Sequence, residues 1–348
     1  MDFGVYLEFA SQEGMPQKDV FDESFALVDE VERLGVESLW LSEYHFTVGR
    51  SVLSSPVAVA CAIASRTERV RIGLAVLLLP LANPVRVAEE VATLDHISKG
   101  RLEFGIGRGT FPNVHEGFGL AFNESRSRFE EYLQVVLGAW REDEFSFEGE
   151  HFSCQNVRVA PKPYQEPHPP IHIGVTSAES FPIVGTMGYS IIVNPSRVFS
   201  LSELRPHIEA YRQAWDEAGH PGKGKVGVRI PVYVAETAEK AYSEPRESTL
   251  RAAYRLGERV AGYGSHEGTT GDWSAEGNRI LDMSYDDWLR DKVVFGTPDE
   301  VIEKLDRLKN ELTLDQVMYE INYGNQLPYE LQTNNLQMIN ELVVPALA

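Results

Sequence analysis

Cysteine is almost absent: Cys61 and Cys154 are the only two in 348 residues. Two thiols cannot build a disulfide framework or a four-thiolate metal site, and they fit a reducing compartment. Positive charge is scarce as well. Lys and Arg number 32 against 52 Asp and Glu, a net charge of −20 with His neutral. Such a surface repels phosphate backbones and anionic headgroups, which argues against nucleic-acid binding and electrostatic membrane attachment. No apolar run approaches the roughly 20 residues of a membrane helix; the strongest, Ile72–Ala82, is interrupted by Pro80. Asp2 stands where a signal peptide wants Lys or Arg, so no targeting segment is expected and the chain reads as cytoplasmic. A Gly-x-Ser-x-Gly elbow, a P-loop and a His-Glu-x-x-His motif are all missing.

What is present is regular alternation of short apolar runs with amphipathic runs. Phe3–Phe9, Glu37–Leu41, Val70–Leu79, Leu102–Ile106, Ile171–Val175, Ser190–Val193, Val226–Ala235 and Asp315–Glu320 read as strands. Helices are expected between them. Lys18–Leu34 carries Phe21, Phe25, Val28 and Val31 on one face and Gly35 as its stop. Asn83-Pro84 opens another, with Asn at the N-cap and Pro at the first helical position. Ser125–Trp140, Ser177–Thr186, Leu201–Ala218 and Pro328–Val344 follow, and Thr297-Pro298-Asp299-Glu300 is a capping box. Eight βα units predict an α/β protein folded as a (β/α)₈ TIM barrel, with a doubly wound open sheet as the rival. Eight units need about 250 residues, so insertions are expected within a single domain. Arg141–Pro169 is one, hairpin-like; Gly257–Tyr285, rich in Gly, Ser, Thr and Asp, is another and reads as a mobile lid-like loop.

Candidate functional residues sit where a barrel keeps its active site, at the C-terminal ends of strands. Glu43, Tyr44 and His45 follow the second strand; His45 is either a structural hydrogen-bonding residue or an acid, base or donor. Gly105-Ile106-Gly107-Arg108-Gly109 lacks the third glycine of a dinucleotide fingerprint, since residue 110 is Thr. Its glycines serve either a tight turn or, with Arg108, a phosphate. Thr176-Ser177-Ala178-Glu179-Ser180 precedes a helix, so its hydroxyls either cap that helix or help bind an anion at its N-terminus. His168 and His172 are separated by two prolines that forbid a shared helical face, which argues against a metal site, and Asp95-His96 reads as structural.

The ordered set of these segments resembles the bacterial luciferase-like monooxygenases. Its carriers are Phe3-Gly4, Leu41–Phe46, Val76–Arg86, Leu94–Gly109 and Gly296–Glu300, spread over most of the chain. The resemblance implies a (β/α)₈ barrel that binds reduced FMN (FMNH₂) delivered by a separate NAD(P)H:flavin reductase. The flavin then reacts with O₂ to give a C4a-peroxyflavin that oxygenates a small organic substrate. Carried over by position, Arg108, with Gly109 and Thr110, matches the flavin-phosphate arginine and its neighbouring backbone. Ser177 and Ser180 match the phosphate-binding hydroxyls, and Thr176 the residue before them. Ala75-Val76 falls where luciferase has a non-prolyl cis peptide under the flavin ring, and Asn194 ends the sixth strand beside the same pocket.

Three positions depart from the luciferase α pattern. Tyr44 replaces the His taken as general base, Gly107 replaces a reactive Cys, and Pro195 replaces a Trp. The chain therefore resembles a non-luminescent relative, with His45, Tyr44 and Glu43 as its catalytic candidates. The alternatives are an F420-dependent hydride-transfer oxidoreductase of the same superfamily, and a flavin-binding protein without turnover. A phosphate-binding lyase or aldolase would need a Schiff-base Lys or a metal cluster, and neither has a convincing candidate. The resemblance also implies a homodimer formed through outer helices of the early units, to which the small-residue helix Pro56–Ser65 is suited.

Overall fold

In a computed structural model of the chain, residues 1–195, 199–264, 266 and 272–347 are described. The strands are β1 (Asp2–Leu7), β2 (Ser38–Leu41), β3 (Arg71–Leu74), β4 (Leu77–Leu78), β5 (Leu102–Gly107), β6 (Phe145–Glu148), β7 (Ser153–Val157), β8 (Ile171–Val175), β9 (Ser190–Val193), β10 (Val226–Val234), β11 (Val294–Gly296) and β12 (Gln316–Glu320). Parallel pairing runs β1–β2–β3–β5–β8–β9–β10–β12 and returns to β1, so eight strands close a barrel. This excludes the doubly wound open sheet. β4 continues β3 along β5, and β11 pairs with the C-terminal part of β10. The strands are buried on both faces, β10 at every residue, which is why they read as unbroken apolar runs.

Local signals act where expected. The Asn83 side chain accepts from the Arg86 N–H at 3.1 Å and Pro84 opens the helix Pro84–Ser98. Thr297 and Glu300 complete a reciprocal capping box. Val28 and Val31 are fully buried on the helix Gln17–Leu34, and Phe21 and Phe25 meet the Phe9 ring edge-on.

Three expectations change. The strand expected over Val70–Leu79 is broken: β3 ends at Leu74, Ala75-Val76 is a non-prolyl cis peptide, and only Leu77–Leu78 resume pairing before a 3₁₀ turn at Leu79–Leu81. Uniform apolarity hides that break. The helix expected from Ser177 starts at Ser180.

The stretch Gly257–Tyr285, expected as a lid-like loop, is largely helical; its residues 265 and 267–271 lie outside the described residues. The helices Arg246–Gly262 and Trp273–Asp282 pack on one another over an apolar cluster that includes Ala253, Val260, Trp273, Ile280 and Trp288. A Cβ on Gly277 would lie 2.3 Å from the Ala261 backbone nitrogen. The glycine that suggests a loop is there to let two helices touch. In Arg141–Pro169, β6 and β7 form an antiparallel hairpin. No helix among the described residues is long and apolar enough to cross a membrane.

Candidate active site

The strand C-termini open into one cleft of about 1580 Å³, counting its open mouth. Glu43, Tyr44 and His45 follow β2, Ala75 and Val76 follow β3, and Arg108, Gly109 and Thr110 follow β5. Thr176, Ser177 and Ser180 follow β8, and Asn194 follows β9. All of these line the cleft, so the barrel gathers every catalytic and cofactor-binding candidate named from the sequence. Asp95 and His96 lie elsewhere and are structural: Asp95 accepts from the Gln165 backbone and side chain, and the His96 Nε2 meets the Lys162 carbonyl at 3.0 Å.

Glu43 uses both carboxylate oxygens. Oε1 lies 2.7 Å from His45 Nε2, and Oε2 accepts the Leu78 N–H at 2.7 Å. The carboxylate thus ties the end of β2 to the segment beyond the cis peptide and fixes the His45 ring. With Nε2 taken by Glu43, Nδ1 is the ring nitrogen left for another partner. Phe118 meets the same ring edge-on at 4.8 Å.

Tyr44 faces a different set of partners. Its hydroxyl donates to Glu8 Oε1 at 2.7 Å, and Arg50 lies 2.5 Å from the phenol oxygen and over the ring. Arg229 binds Glu8 and Glu320, each at 2.7 Å, and donates to the Tyr6 hydroxyl at 3.1 Å. Glu8, Arg229 and Glu320 are all buried. Burial by itself would raise the Glu8 carboxyl, but the Arg50 and Arg229 guanidiniums outweigh it and bring it down to about 2. Glu320 goes the other way: burial, with the Glu8 charge close by, pushes it up against the pull of Arg229. Burial also raises the Tyr6 and Tyr44 phenols, which keeps both neutral. None of Glu8, Arg50, Arg229 and Glu320 was singled out from the sequence. The available signal was a charged residue within or just after an apolar strand, as at Glu8, Arg229 and Glu320; Arg50, in the loop beyond β2, carried no such signal.

On the far wall, Arg108 reaches Ser125 Oγ at 3.5 Å and stands 5.6 Å from the Phe122 ring. Gly109 turns the chain there with φ +86°, over the buried His115, whose Nε2 would be 2.9 Å from a Cβ at Gly109. Burial and then the Arg108 charge push the His115 pKa down to about 4. Ser180 Oγ donates to the Ser177 carbonyl at 2.6 Å and accepts from the Ser177 N–H at 3.4 Å. These bonds close the turn before the helix rather than cap the helix, whose N-cap position is Glu179 with no side-chain cap bond, and both serines line the cleft. Between the two walls, Val76 seats against glycines: a Cβ on Gly107 would fall 2.5 Å from Val76 Cγ2. Ser42 Oγ is buried in the cleft wall without a hydrogen-bond partner among the described residues, an orphan that a ligand can satisfy.

A family model described as luciferase-like monooxygenase matches residues 1–316. The chain belongs to the luciferase-like monooxygenase family. Its relatives include the alkanal monooxygenase alpha chain of Photorhabdus luminescens, 30% identical over 63% of this chain and 60% of that protein. The chain thus matches only about three-fifths of that relative's length. The oxygenase component of the flavin-dependent trigonelline monooxygenase of Acinetobacter baylyi is 25% identical over 98% of this chain and 94% of its own. Among solved structures, monooxygenase RslO1 from Streptomyces bottropensis covers 100% of both chains at 25% identity with a TM-score of 0.83.

The departures noted in the sequence have physical places in this luciferase-like monooxygenase. Tyr44 belongs to the Glu8 charge network, a thiol at Gly107 would collide with Val76, and the Pro195 carbonyl accepts from the Lys292 ammonium at 3.3 Å.

Proposed function

We propose that this chain is the oxygenase of a two-component flavin-dependent monooxygenase. It takes FMNH₂ from a separate NAD(P)H:flavin reductase and uses O₂ to oxygenate a small organic substrate. The observation that carries the reading is the composition of the one cleft. A guanidinium and a hydroxyl-rich turn line it together with an apolar seat at Ala75-Val76, the orphan Ser42 hydroxyl and the Glu43-anchored His45. That donor set fits the group: a phosphate needs Arg108, Ser177, Ser180 and the N–H groups near Gly109, Thr110 and Thr176, and a flat apolar ring needs Val76. Full-length similarity to a flavin-dependent oxygenase component supports both the cofactor and the separate reductase.

Bound reduced flavin supplies the activation of O₂. The chain does the rest. Arg108, Ser177 and Ser180 would anchor the phosphate and Ala75 and Val76 would support the ring; Ser42 and Asn194 line the same cleft. His45 exchanges a proton through Nδ1, and Glu43 holds its ring in place. Tyr44 keeps its hydroxyl on Glu8 and acts as a wall rather than a proton donor, a narrower role than the sequence suggested. Phe46 and Phe118, 5.4 Å apart, shield His45 from water. A second copy of the chain is part of the same reading, supported by the small exposed residues Ala58, Ala62 and Ser65 of the helix Pro56–Arg66; light scattering tests it.

The deciding experiment is anaerobic titration with FMNH₂ followed by rapid mixing with O₂. Tight binding and then a long-lived near-ultraviolet absorbance distinct from oxidised FMN is the expected result. Binding without that absorbance, even with reductase, NADH and candidate substrates present, would favour a flavin binder without turnover. Binding of F420 in preference to FMNH₂ would replace oxygenation with hydride transfer.

A further inference from the structure

We infer that the chamber adjoining the flavin cleft is a carboxylate-binding substrate site, with Arg259 as its anchor. The inference rests on the flavin reading of the cleft, because it assigns the substrate to the neighbouring space. The chamber encloses about 1220 Å³, counting its mouth, and Tyr44, Phe111, Arg229 and Arg259 line both spaces. A molecule held there lies beside the cofactor cleft.

The lining charge runs against the charge of the protein. The chain carries −20 overall, yet Arg50, Arg229, Arg255 and Arg259 face this chamber against only Glu8 and Glu320. Arg50 and Arg229 are occupied by those two carboxylates. Arg255 and Arg259 form no ion pair with a carboxylate among the described residues. Arg255 donates to the Gly49 carbonyl at 3.0 Å, and Arg259 to the neutral Asn113 side chain at 3.3 Å and to the neutral Tyr263 hydroxyl. Arg259 is the more enclosed of the two. Its guanidinium lies 3.7 Å over the Phe111 ring, which fixes the plane of its fork and leaves the edge for a ligand.

A half-buried guanidinium without a counter-charge is costly, and here burial and the nearby Arg50 charge both lower its pKa. One carboxylate, held bidentately, supplies the missing negative charge and satisfies the fork. A neutral substrate leaves the cost in place, and a cation adds to it. Ala252, Leu256 and Tyr323 offer apolar wall to the rest of the molecule. The substrate class is therefore an organic acid oxygenated away from its carboxylate.

The test uses three probes of one shape, benzoate, benzamide and benzylamine, titrated calorimetrically into the full chain with and without FMN. Wild-type protein is expected to bind benzoate at least about tenfold tighter than benzamide, the worth of one charge-assisted pair, and to bind benzylamine least. Arg259→Gln should erase the preference for benzoate, and Arg108→Ala should keep it. Equal binding of benzoate and benzamide by wild-type protein overturns the inference without any variant. Loss of the preference in Arg108→Ala but not in Arg259→Gln also overturns it, because benzoate would then be sitting among the phosphate donors. Failure of FMN to bind strikes the flavin reading alone, since the flavin-free titration still reports on the chamber.

Discussion

The two walls of the barrel mouth treat polar groups in opposite ways. On the β1–β10–β12 side, Glu8, Arg229, Glu320, Arg50, Tyr44 and Tyr6 bond to one another, and the Glu8 carboxylate takes further support from Asn325 at 3.2 Å. Elsewhere in the cleft lining, Ser42 is an orphan among the described residues, and the Ser177 and Ser180 hydroxyls meet each other only at 3.5 Å. A wall whose groups are mutually satisfied keeps its shape without a ligand. A wall with unsatisfied or loosely satisfied donors gains most when a ligand arrives. Structural and binding roles can thus be told apart by how fully each polar atom is partnered, even within a single cleft.

The largest expected effect comes from breaking the saturated wall. Arg229→Met leaves Glu8 and Glu320 buried without their shared cation and should cost about 3–5 kcal/mol of stability in chemical denaturation. Adding Glu320→Gln should restore part of that loss; if Arg229→Met is as stable as wild type, the wall is not a structural unit. At the Glu43-anchored imidazole, His45→Ala should leave FMN binding within about threefold and lower substrate oxygenation by roughly 100-fold, the scale of general acid–base catalysis. Unchanged coupled turnover would remove His45 from the reaction.

His115 offers a pH handle on the wall carrying Arg108. Its folded pKa, about 4, lies below the value of 6.5 expected when unfolded. The unfolded chain therefore takes up a proton that the folded chain refuses. Stability is complete above pH 6.5 and is lost as pH falls towards 4, by roughly 2–3 kcal/mol at pH 4.5. His115→Gln should flatten that part of the stability profile; an unchanged slope assigns the acid sensitivity elsewhere. The smallest effect is Arg108→Ala, expected to weaken FMN binding at least about tenfold with little change in melting temperature. A large drop in melting temperature would instead make Arg108 a structural residue like Arg229.

The barrel was legible because its signals are local and repeated: apolar strands, caps such as Asn83 and Thr297, and the spacing between them. The candidate residues around Arg108 and Ser177 were legible as cleft residues because they lie in contiguous motifs after strands. The opposite wall was not. Glu8, Arg229 and Glu320 are far apart in sequence and meet only when β1, β10 and β12 close the barrel. Tyr44 looked like a catalytic candidate because it stands next to His45, but in the loop after β2 the two side chains take different partners, Glu8 and Glu43. Gly277 and its neighbours suggested a loop because composition does not distinguish a glycine that turns the chain from one that admits a packed helix.

The Glu43 bridge has a consequence for timing. Its carboxylate has one oxygen on His45 and the other on the Leu78 N–H, both at 2.7 Å. Leu78 and the Ala75-Val76 peptide belong to the same short segment. Pressure on that segment must either stretch the contact to Leu78 or carry the carboxylate along and swing the imidazole with it. On the proposed flavin reading, filling the seat at Val76 and aiming the His45 ring would then be one mechanical event.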